Sequence, residues 1–285
     1  MITKAIEIDY QGERLRGFLD LPDSVSEEDG RAIMGEGPLL PREEFPSIGE
    51  KSPKKMEKRI PLVIQFHGMC GRCDSKIDLA LMKYFTGQGM AVVRVNFLGH
   101  GNSDGDFFQV TVPGQLPQAE AILAYAQSLP FAGEILIVGH SMGAVAATML
   151  AGKHAEEIEK MILLAPASVI ETLCQTGQFG DFEYDPADPP EMIEIPGTRF
   201  RFSREYLVSG KYIDIMSWAA KFKKPVCIIH GDQDDMLPLE VIQPFVHAFT
   251  DCQFKIIEGA SHFFGGSKKE MVACVDEFLR SHKVE

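Results

Sequence analysis

The pentapeptide G-H-S-M-G at residues 139–143 decides how this chain of 285 residues is interpreted. It follows E-I-L-I-V at 134–138, which is typical of a short buried strand, and it precedes A-V-A-A-T-M-L-A at 144–151, which predicts a helix. A serine on a sharp strand-to-helix turn, here Ser141, has its hydroxyl exposed above the sheet. Gly139 and Gly143 are required because side chains there would collide with the neighbouring strand and helix. The pattern therefore predicts a nucleophilic serine.

Composition places the chain among ordinary globular proteins. Hydrophobic residues make up 45% of it and charged residues 24%, a balance that supports one large core or a core with a small cap. The formal charge is −13, from 28 basic and 41 acidic side chains. This charge argues against nucleic acid or a membrane surface as the main partner, because both favour clustered Lys and Arg.

The first ten residues alternate apolar and polar side chains, which predicts a strand rather than a secretion signal. No stretch approaches the roughly 20 apolar residues that span a bilayer. We therefore expect a cytoplasmic protein whose six cysteines are reduced. Cys70 and Cys73 form a C-x-x-C pair with no second ligand pair suitably spaced, so we expect no metal and favour a structural role over a redox role.

Apolar strands alternate with helices along most of the chain. Strands are predicted at 3–9, 14–20, 60–66, 91–97, 134–138, 161–165, 225–230 and 254–258, and helices at 76–88, 115–128, 239–249 and 267–281. Continuous apolar strands separated by helices indicate an α/β fold, in which a mainly parallel sheet is covered by helices on both faces.

Two segments interrupt this rhythm. Residues 23–59 are rich in Pro, Gly, Glu and Lys and predict a surface insertion. Residues 167–223 are rich in aromatic side chains and predict a cap over the carboxyl edge of the sheet, where open α/β sheets bind ligands. With this cap set apart, the predicted core is 1–166 together with 224–285. The alternative is that 167–223 is an ordinary helical connection packed by its aromatic residues.

A serine hydroxyl needs a base within hydrogen-bond reach, and that base needs an acid to fix its tautomer. His262 is the candidate base, because it follows the last predicted strand in a loop at that strand's carboxyl end. Asp234 is the candidate acid from its spacing in H-G-D-Q-D-D-M-L-P, residues 230–238. Asp232 and Asp235 are interpreted as turn or helix-start carboxylates. The order Ser, Asp, His is the one found in α/β-hydrolases.

Two backbone N–H groups must hold the negative charge that develops on the substrate oxygen. Met142, directly after the serine, supplies the first candidate donor. Met69 supplies the second, from the loop that follows the 60–66 strand.

With these motifs the chain resembles the α/β-hydrolases, and more narrowly the bacterial cinnamoyl (feruloyl) esterases, over nearly everything except 23–59. The resemblance lies in F-H-G-M-C-G at 66–71, G-H-G-N-S-D-G at 99–105, V-G-H-S-M-G at 138–143, L-L-A-P-A at 163–167, H-G-D-Q-D at 230–234 and E-G-A-S-H at 258–262. It implies an α/β-hydrolase fold with an inserted cap and a slot for an aromatic acyl group.

The same resemblance suggests substrate contacts. A cap tyrosine of this family can contact a phenolic hydroxyl, and Tyr206 looks like its counterpart. Some members place an aspartate on the first cap helix, where this chain offers Glu171. His67, beside the predicted oxyanion loop, is a third candidate contact. Family members often have Gln where this chain has Met142, and a second glycine where it has Ala144.

The sequence therefore predicts a cofactor-free serine carboxylesterase that acts on small to medium esters through an acyl-enzyme, with hydroxycinnamoyl esters as a narrower expectation. Its expected partner is a small-molecule ester, and a homodimer is left open. A thioesterase or an acyl-peptide hydrolase could use the same residues. A ligand receptor without catalysis, built on the same scaffold, is the alternative from another class.

Overall fold

A computed structural model describes residues 1–25, 59–179 and 182–282. The strands in these residues are β1 (Ile2–Tyr10), β2 (Glu13–Leu21), β3 (Ile60–Phe66), β4 (Ala91–Val95), β5 (Ala132–His140), β6 (Lys160–Leu164), β7 (Gln178–Phe179), β8 (Phe182–Glu183), β9 (Met192–Glu194), β10 (Arg201–Ser203), β11 (Val226–Gly231) and β12 (Cys252–Ile257). The helices are α1 (Lys76–Gly87), α2 (Gln115–Ser128), α3 (Met142–Lys153), α4 (Ile170–Thr176), α5 (Arg204–Gly210), α6 (Ile215–Lys221), α7 (Leu239–Ala248) and α8 (Lys268–Ser281).

Eight of these strands form one sheet in the order β1-β2-β4-β3-β5-β6-β11-β12. The first two strands form an antiparallel hairpin, and β2 also pairs antiparallel with β4. The six strands that follow in this order, from β4 at one side to β12 at the edge, are parallel to one another. The predicted α/β fold is confirmed. The hairpin of β1 and β2 turns at Gln11 and Gly12, whose positive φ angles of 55° and 89° are those of a two-residue hairpin turn.

Successive residues of each central strand point alternately into two separate cores. Because both faces of these strands are buried, their sequences are continuously apolar. On β5, Ile135 and Ile137 join the larger core, which also contains buried residues of α2, α3, α6 and α7. Leu136 and Val138 join the second core, which contains buried residues of α1 and α8. Helices therefore cover both faces, and each buried aliphatic side chain contributes about 1.5–3 kcal/mol relative to exposure.

The segment predicted as a cap, 167–223, contains α4, two short hairpins (β7–β8 and β9–β10), α5 and α6. Its last helix packs on α3, and a Cβ added to Gly152 would lie only 2.6 Å from the carbonyl oxygen of Trp218. Ile215 and Ala219 of this helix belong to the larger core. If the cap ends at residue 223, α6 belongs to the cap although it packs on α3, a helix of the core. The division into core and cap stays a prediction.

Most of the predicted surface insertion lies outside the described residues, since 26–58 are not among them. The helices that the structure does describe are all too short or too polar to cross a bilayer.

A buried ion pair connects the N-terminal hairpin to the parallel part of the sheet. Arg94 on β4 donates from Nε to Asp20 Oδ2 at 2.7 Å, and Asp20 on β2 is fully buried. Thr3 adds a hydrogen bond to the same carboxylate, and the Arg94 guanidinium lies 4.5 Å from the centre of the Phe18 ring. Removal of one partner would leave an uncompensated charge in the sheet.

We expect Asp20→Ala to lower the free energy of unfolding by about 3–5 kcal/mol, because Arg94 would be buried without its partner. Denaturant unfolding followed by circular dichroism measures this loss. Asp9→Ala is the control, because Asp9 pairs with Arg14 at the surface and should lose less than about 1 kcal/mol. Equal losses in the two variants would contradict the prediction.

Candidate active site

Ser141 lies on the turn between β5 and α3, with a strained backbone. Its φ of 54° and ψ of −118° are values that non-glycine residues rarely adopt. Its N–H donates to the Leu164 carbonyl at 2.9 Å, and its own carbonyl accepts from the N–H groups of Ala144 and Ala167. The turn is therefore fixed to the end of β6 as well as to its own helix.

The two glycines of the pentapeptide permit this geometry. A Cβ on Gly143 would lie inside contact distance of the carbonyl oxygens of Phe66 and His67. A Cβ on Gly139 would collide with the backbone of Gly143 itself. Helix α3 can thus approach the end of β3 only because Gly143 lacks a side chain, and it can pack against its own strand β5 only because Gly139 lacks one.

The structure brings Ser141, His262 and Asp234 together in one hydrogen-bonded row. With Nδ1 carrying the proton, His262 donates to Asp234 Oδ2 at 2.7 Å. The Ser141 hydroxyl donates to His262 Nε2 across 3.0 Å. The three residues are 9%, 2% and 4% exposed in the order serine, histidine, aspartate. This burial strengthens the electrostatic interactions along the row.

Asp234 is fixed by its own loop after β11. Its Oδ1 accepts the backbone N–H groups of Met236 at 3.0 Å and Leu237 at 2.9 Å. Burial pushes the pKa of Asp234 upward, but the hydrogen bond and charge of His262 outweigh that effect, and the net shift of this pKa is downward. Asp234 is therefore an ionised acceptor for the His262 N–H.

His140 belongs to the site, although its sequence position predicted only local packing and hydrogen bonding near a strand end. Its Nε2–H donates to the backbone carbonyl of His262 at 3.0 Å, which fixes the loop that carries this histidine. Burial, with the nearby His262, lowers the pKa of His140 to about 4. The ring is therefore neutral at neutral pH. The signal available in the sequence was its place beside Ser141 in the pentapeptide.

His67, predicted as a substrate contact, is buried with both ring nitrogens engaged. Nδ1–H donates to the Gly68 carbonyl at 2.8 Å, and Nε2 accepts the Phe97 N–H at 3.1 Å. Burial lowers the pKa of His67 to about 3. This arrangement makes His67 a link between the ends of β3 and β4, and it leaves no ring nitrogen for a hydrogen bond to a substrate.

The loop that carries Met69 lies directly against Ser141. The Gly71 N–H donates to the Gly68 carbonyl at 3.0 Å, which closes a turn in which Cys70 has a φ of 58°. A Cβ on Gly68 would be 3.1 Å from the Ser141 Cβ. Met142 is the first residue of α3, where an N–H has no partner within its own helix. Of the two predicted donor residues, Met142 is thus adjacent to Ser141 and Met69 lies in the loop that contacts it.

The other two predicted substrate contacts lie in different surroundings. Tyr206 on α5 is 1% exposed, and its O–H donates to Met142 Sδ at 3.8 Å, so this side chain reaches the serine turn. Glu171 lies in the first turn of α4, where its Oε1 accepts from the Gln175 amide and it lines an outward cleft together with Tyr212. A contact between Glu171 and a substrate remains a prediction.

All six cysteines are free thiols. Burial raises the pKa of Cys70 and of Cys73 to about 12. The Cys73 N–H donates to Asn96 Oδ1 and its carbonyl accepts from Arg94, so this residue joins the loop after β3 to β4. These bonds support the structural interpretation of Cys73, and the redox question about the C-x-x-C pair stays a prediction.

A mainly parallel eight-stranded sheet, with a serine on the turn from β5 to α3, defines an α/β-hydrolase, and comparisons with known proteins agree. A family model described as serine aminopeptidase, S33, matches residues 57–179. The chain therefore has an esterase-like α/β-hydrolase fold, and these comparisons support a hydrolase.

Among solved structures it is similar to Est1E of Butyrivibrio proteoclasticus with bound ferulic acid, at 26% identity and a TM-score of 0.83, over 97% of this chain and 98% of that one. Alpha/beta hydrolase domain-containing protein 10 from mouse shares the fold at 15% identity and a TM-score of 0.70, over 98% and 100% of the two chains. An uncharacterized protein of Rickettsia prowazekii is 25% identical over 77% of this chain and 78% of its own length.

We expect Gly143→Ala to prevent stable folding of the serine turn, because the new methyl group would meet two carbonyl oxygens. The soluble yield and the thermal midpoint, measured by circular dichroism, test this. Gly87→Ala is the matched control, since a Cβ on Gly87 at the end of α1 meets nothing within 4 Å and should change stability by no more than about 1 kcal/mol. A Gly143→Ala protein that melts like the parent would contradict the close approach.

We also expect stability to fall as the pH drops below about 6.5, the ordinary pKa of histidine. The unfolded chain then binds protons that the folded His140 and His67 do not, since their folded pKa values are about 4 and about 3. For His140 alone the loss by pH 5 is about 2 kcal/mol. Urea unfolding at pH 7 and pH 5 should show a smaller loss in His140→Gln than in the parent, and identical losses would refute the assignment.

Proposed function

We propose that this protein is a serine carboxylesterase in which Ser141 is the nucleophile, His262 the general base and Asp234 the acid that orients it. The observation that carries the proposal is the continuous hydrogen-bonded row from Asp234 Oδ2 through the His262 ring to the Ser141 hydroxyl. A row of this kind lets a serine lose its proton as it attacks.

In the first half of the proposed reaction, the Ser141 oxygen attacks the ester carbonyl carbon while its proton passes to His262 Nε2. The imidazolium that forms is stabilised by the ionised Asp234 at Nδ1. The carbonyl electron pair moves onto oxygen, and the N–H groups of Met69 and Met142 hold the resulting oxyanion. Loss of one such donor costs about 3–4 kcal/mol of transition-state stabilisation in comparable sites.

In the second half, His262 returns the proton to the alcohol oxygen as the bond between the carbonyl carbon and this oxygen breaks. The acyl group then remains on Ser141. Water attacks this acyl-enzyme while His262 takes its proton, and His262 gives that proton to the Ser141 oxygen as its bond to the acyl carbon breaks and the carboxylic acid leaves. Every step uses side chains and backbone groups of this chain, so the proposed reaction is cofactor-free.

Small to medium carboxylic esters are the proposed substrates, with hydroxycinnamoyl esters as the narrower class. The Est1E structure contains ferulic acid, which is a property of that protein. For this chain, the approach of the Tyr206 hydroxyl to Met142 supports an aromatic acyl group beside the serine turn. We propose a cytoplasmic location from the sequence arguments above.

An acyl-peptide hydrolase is the second candidate, and it is favoured by the description of the matching family as serine aminopeptidase. The same nucleophile and base would cleave an amide, whose leaving amine takes the proton from His262. Comparison of kcat/KM for p-nitrophenyl butyrate, methyl ferulate, butyryl-coenzyme A and an acylated alanine p-nitroanilide separates the ester, thioester and amide functions. Methyl ferulate no better than the butyrate ester would remove the narrower substrate class.

We expect Ser141→Ala and Asp234→Asn each to lower kcat/KM for p-nitrophenyl butyrate by on the order of a thousandfold or more. Ser168→Ala is the control. Its hydroxyl is buried near the same turn and has no hydrogen-bond partner among the described residues, so its removal should leave the rate near that of the parent.

Two results would overturn the proposal. One is a Ser141→Ala protein that hydrolyses the ester at the parent rate. The other is a parent protein that does not react with a fluorophosphonate and binds small ligands without turnover, as expected for a receptor on the same scaffold.

A further inference from the structure

Phe263, the residue after the proposed base, exposes an aromatic ring beside the site. The residue is 61% exposed, whereas its neighbours His262 and Phe264 are 2% and 0% exposed. Its ring meets the His262 ring edge-on, with ring centres 5.0 Å apart and an angle of 87° between the planes. The same ring lies 5.9 Å from the centre of the His140 ring. Phe263 therefore packs on two imidazoles of the site, and the rest of its surface faces solvent.

This position brings the ring close to the atom that must protonate the leaving group. An imidazole nitrogen lies about 1 Å from the centre of its ring, so the Phe263 ring centre is within about 6 Å of His262 Nε2. In the proposed reaction Nε2 gives its proton to the departing alcohol oxygen, which must approach it to about 3 Å. An alcohol of a few carbon atoms is therefore long enough to reach the Phe263 ring.

The exposure of Phe263 is built into a loop that hydrogen bonds hold in place. The Phe264 N–H donates to the Ser261 carbonyl at 2.9 Å, and the Ser267 N–H donates to the Phe264 carbonyl at 3.1 Å. Phe264 has a φ of 51°, and its side chain belongs to the second core. Because this buried ring anchors the loop, the exposed ring of Phe263 has a defined place beside the base.

The described part of the chain leaves open space in the same loop. A Cβ added to Gly266 would meet nothing within 4 Å, and a Cβ on Gly265 would approach only the Ser261 hydroxyl oxygen, at 3.8 Å. On the neighbouring loop after β11, Met236 is 60% exposed, two residues beyond Asp234. The loops that carry the base and the acid thus each present a large apolar side chain to solvent.

A phenylalanine ring in this place discriminates between apolar and polar alcohols. Each methylene group that leaves water on contact with apolar surface strengthens binding by up to about fourfold. A hydroxyl or ether oxygen placed against the ring gives up water without gaining a strong hydrogen bond, because the ring has no N–H or O–H donor. The contact exists while the bond from the carbonyl carbon to the alcohol breaks, so it acts on formation of the acyl-enzyme.

We propose that Phe263 lines the alcohol side of the site and makes the protein select esters of apolar alcohols, alkyl or aromatic, over esters of polar alcohols such as polyols. Phe263 is then a specificity-determining residue, which contacts the departing alcohol while His262 moves the proton. This inference rests on the proposed esterase function and names the alcohol class of its substrates.

The test compares two butyrate esters whose alcohols differ in one position. They are pentyl butyrate and 2-ethoxyethyl butyrate, in which an ether oxygen replaces the third methylene. Both form the same butyryl-enzyme, so the ratio of their kcat/KM values reports the alcohol alone. Titration of the released butyric acid at constant pH measures the rates, and division by the rates of alkaline hydrolysis removes the intrinsic reactivity of each ester. We expect the parent to favour the pentyl ester and Phe263→Ser to lower this ratio about fivefold.

Two further variants sharpen the test. Phe263→Leu keeps an apolar side chain and should retain most of the parent's preference. Phe108→Ser is the matched control, because Phe108 is also an exposed phenylalanine, at 39%, but lies on the segment before α2, and it should leave the ratio unchanged. A displacement of His262 in any variant would lower the rates for both esters together, so the ratio separates selection of the alcohol from loss of the base.

The failure of this inference differs from the failure of the esterase proposal. If both esters are hydrolysed and Phe263→Ser changes the ratio no more than Phe108→Ser does, the role of Phe263 is wrong and the esterase proposal stands. A parent that favours the 2-ethoxyethyl ester, or that hydrolyses p-nitrophenyl butyrate but neither of these esters, overturns the inference in the same way. If the parent hydrolyses none of the three, the esterase proposal fails and the inference fails with it.

Discussion

The strained backbone of Ser141 is the constraint on which the rest of the site depends. A non-glycine residue in such a conformation costs about 1–3 kcal/mol and persists only where its surroundings determine it. Here the surroundings are the bond from the Ser141 N–H to the Leu164 carbonyl and the contact of α3 with the end of β3. The contact with β3 requires bare backbone at Gly143, and the packing of α3 against its own strand β5 requires it at Gly139. The core strands thus hold the serine oxygen above the carboxyl edge of the sheet.

The base and the acid reach that oxygen because their two loops are bonded to each other. The Gln233 N–H donates to the Ala260 carbonyl at 3.0 Å, and the Gly259 N–H donates to Asp232 Oδ1 at 2.7 Å. Asp232, which the sequence suggested as a turn carboxylate, therefore joins the loop after β11 to the loop after β12. The distance between Asp234 and His262 is set by this pairing of adjacent parallel strands.

Sequence periodicity was sufficient for the sheet and for most helix limits. Helix α2 spans the predicted 115–128, and α1, α7 and α8 begin and end within one residue of expectation, whereas α3 extends two residues beyond each end of the predicted 144–151. From the motif spacing, Ser141, Asp234 and His262 were also predicted to act together, and the structure places them in one hydrogen-bonded row. The interior bonds of His67 and His140 could not be predicted, because they depend on loops from distant strands meeting in space. The hairpins inside 167–223 carry two or three residues a strand, too few for an alternating pattern to be recognised.

The sulfur chemistry next to the serine has a consequence for how the protein tolerates oxidants. Cys70 follows Met69 in the loop that touches Ser141, and burial keeps its pKa near 12. At neutral pH this sulfur is a thiol, and peroxide and thiol-directed electrophiles react with thiolates. The loop therefore places the Ser141 hydroxyl, which has a base beside it, next to a sulfur that burial keeps protonated, so reagents for hydroxyl nucleophiles and reagents for thiolates address different atoms at this loop.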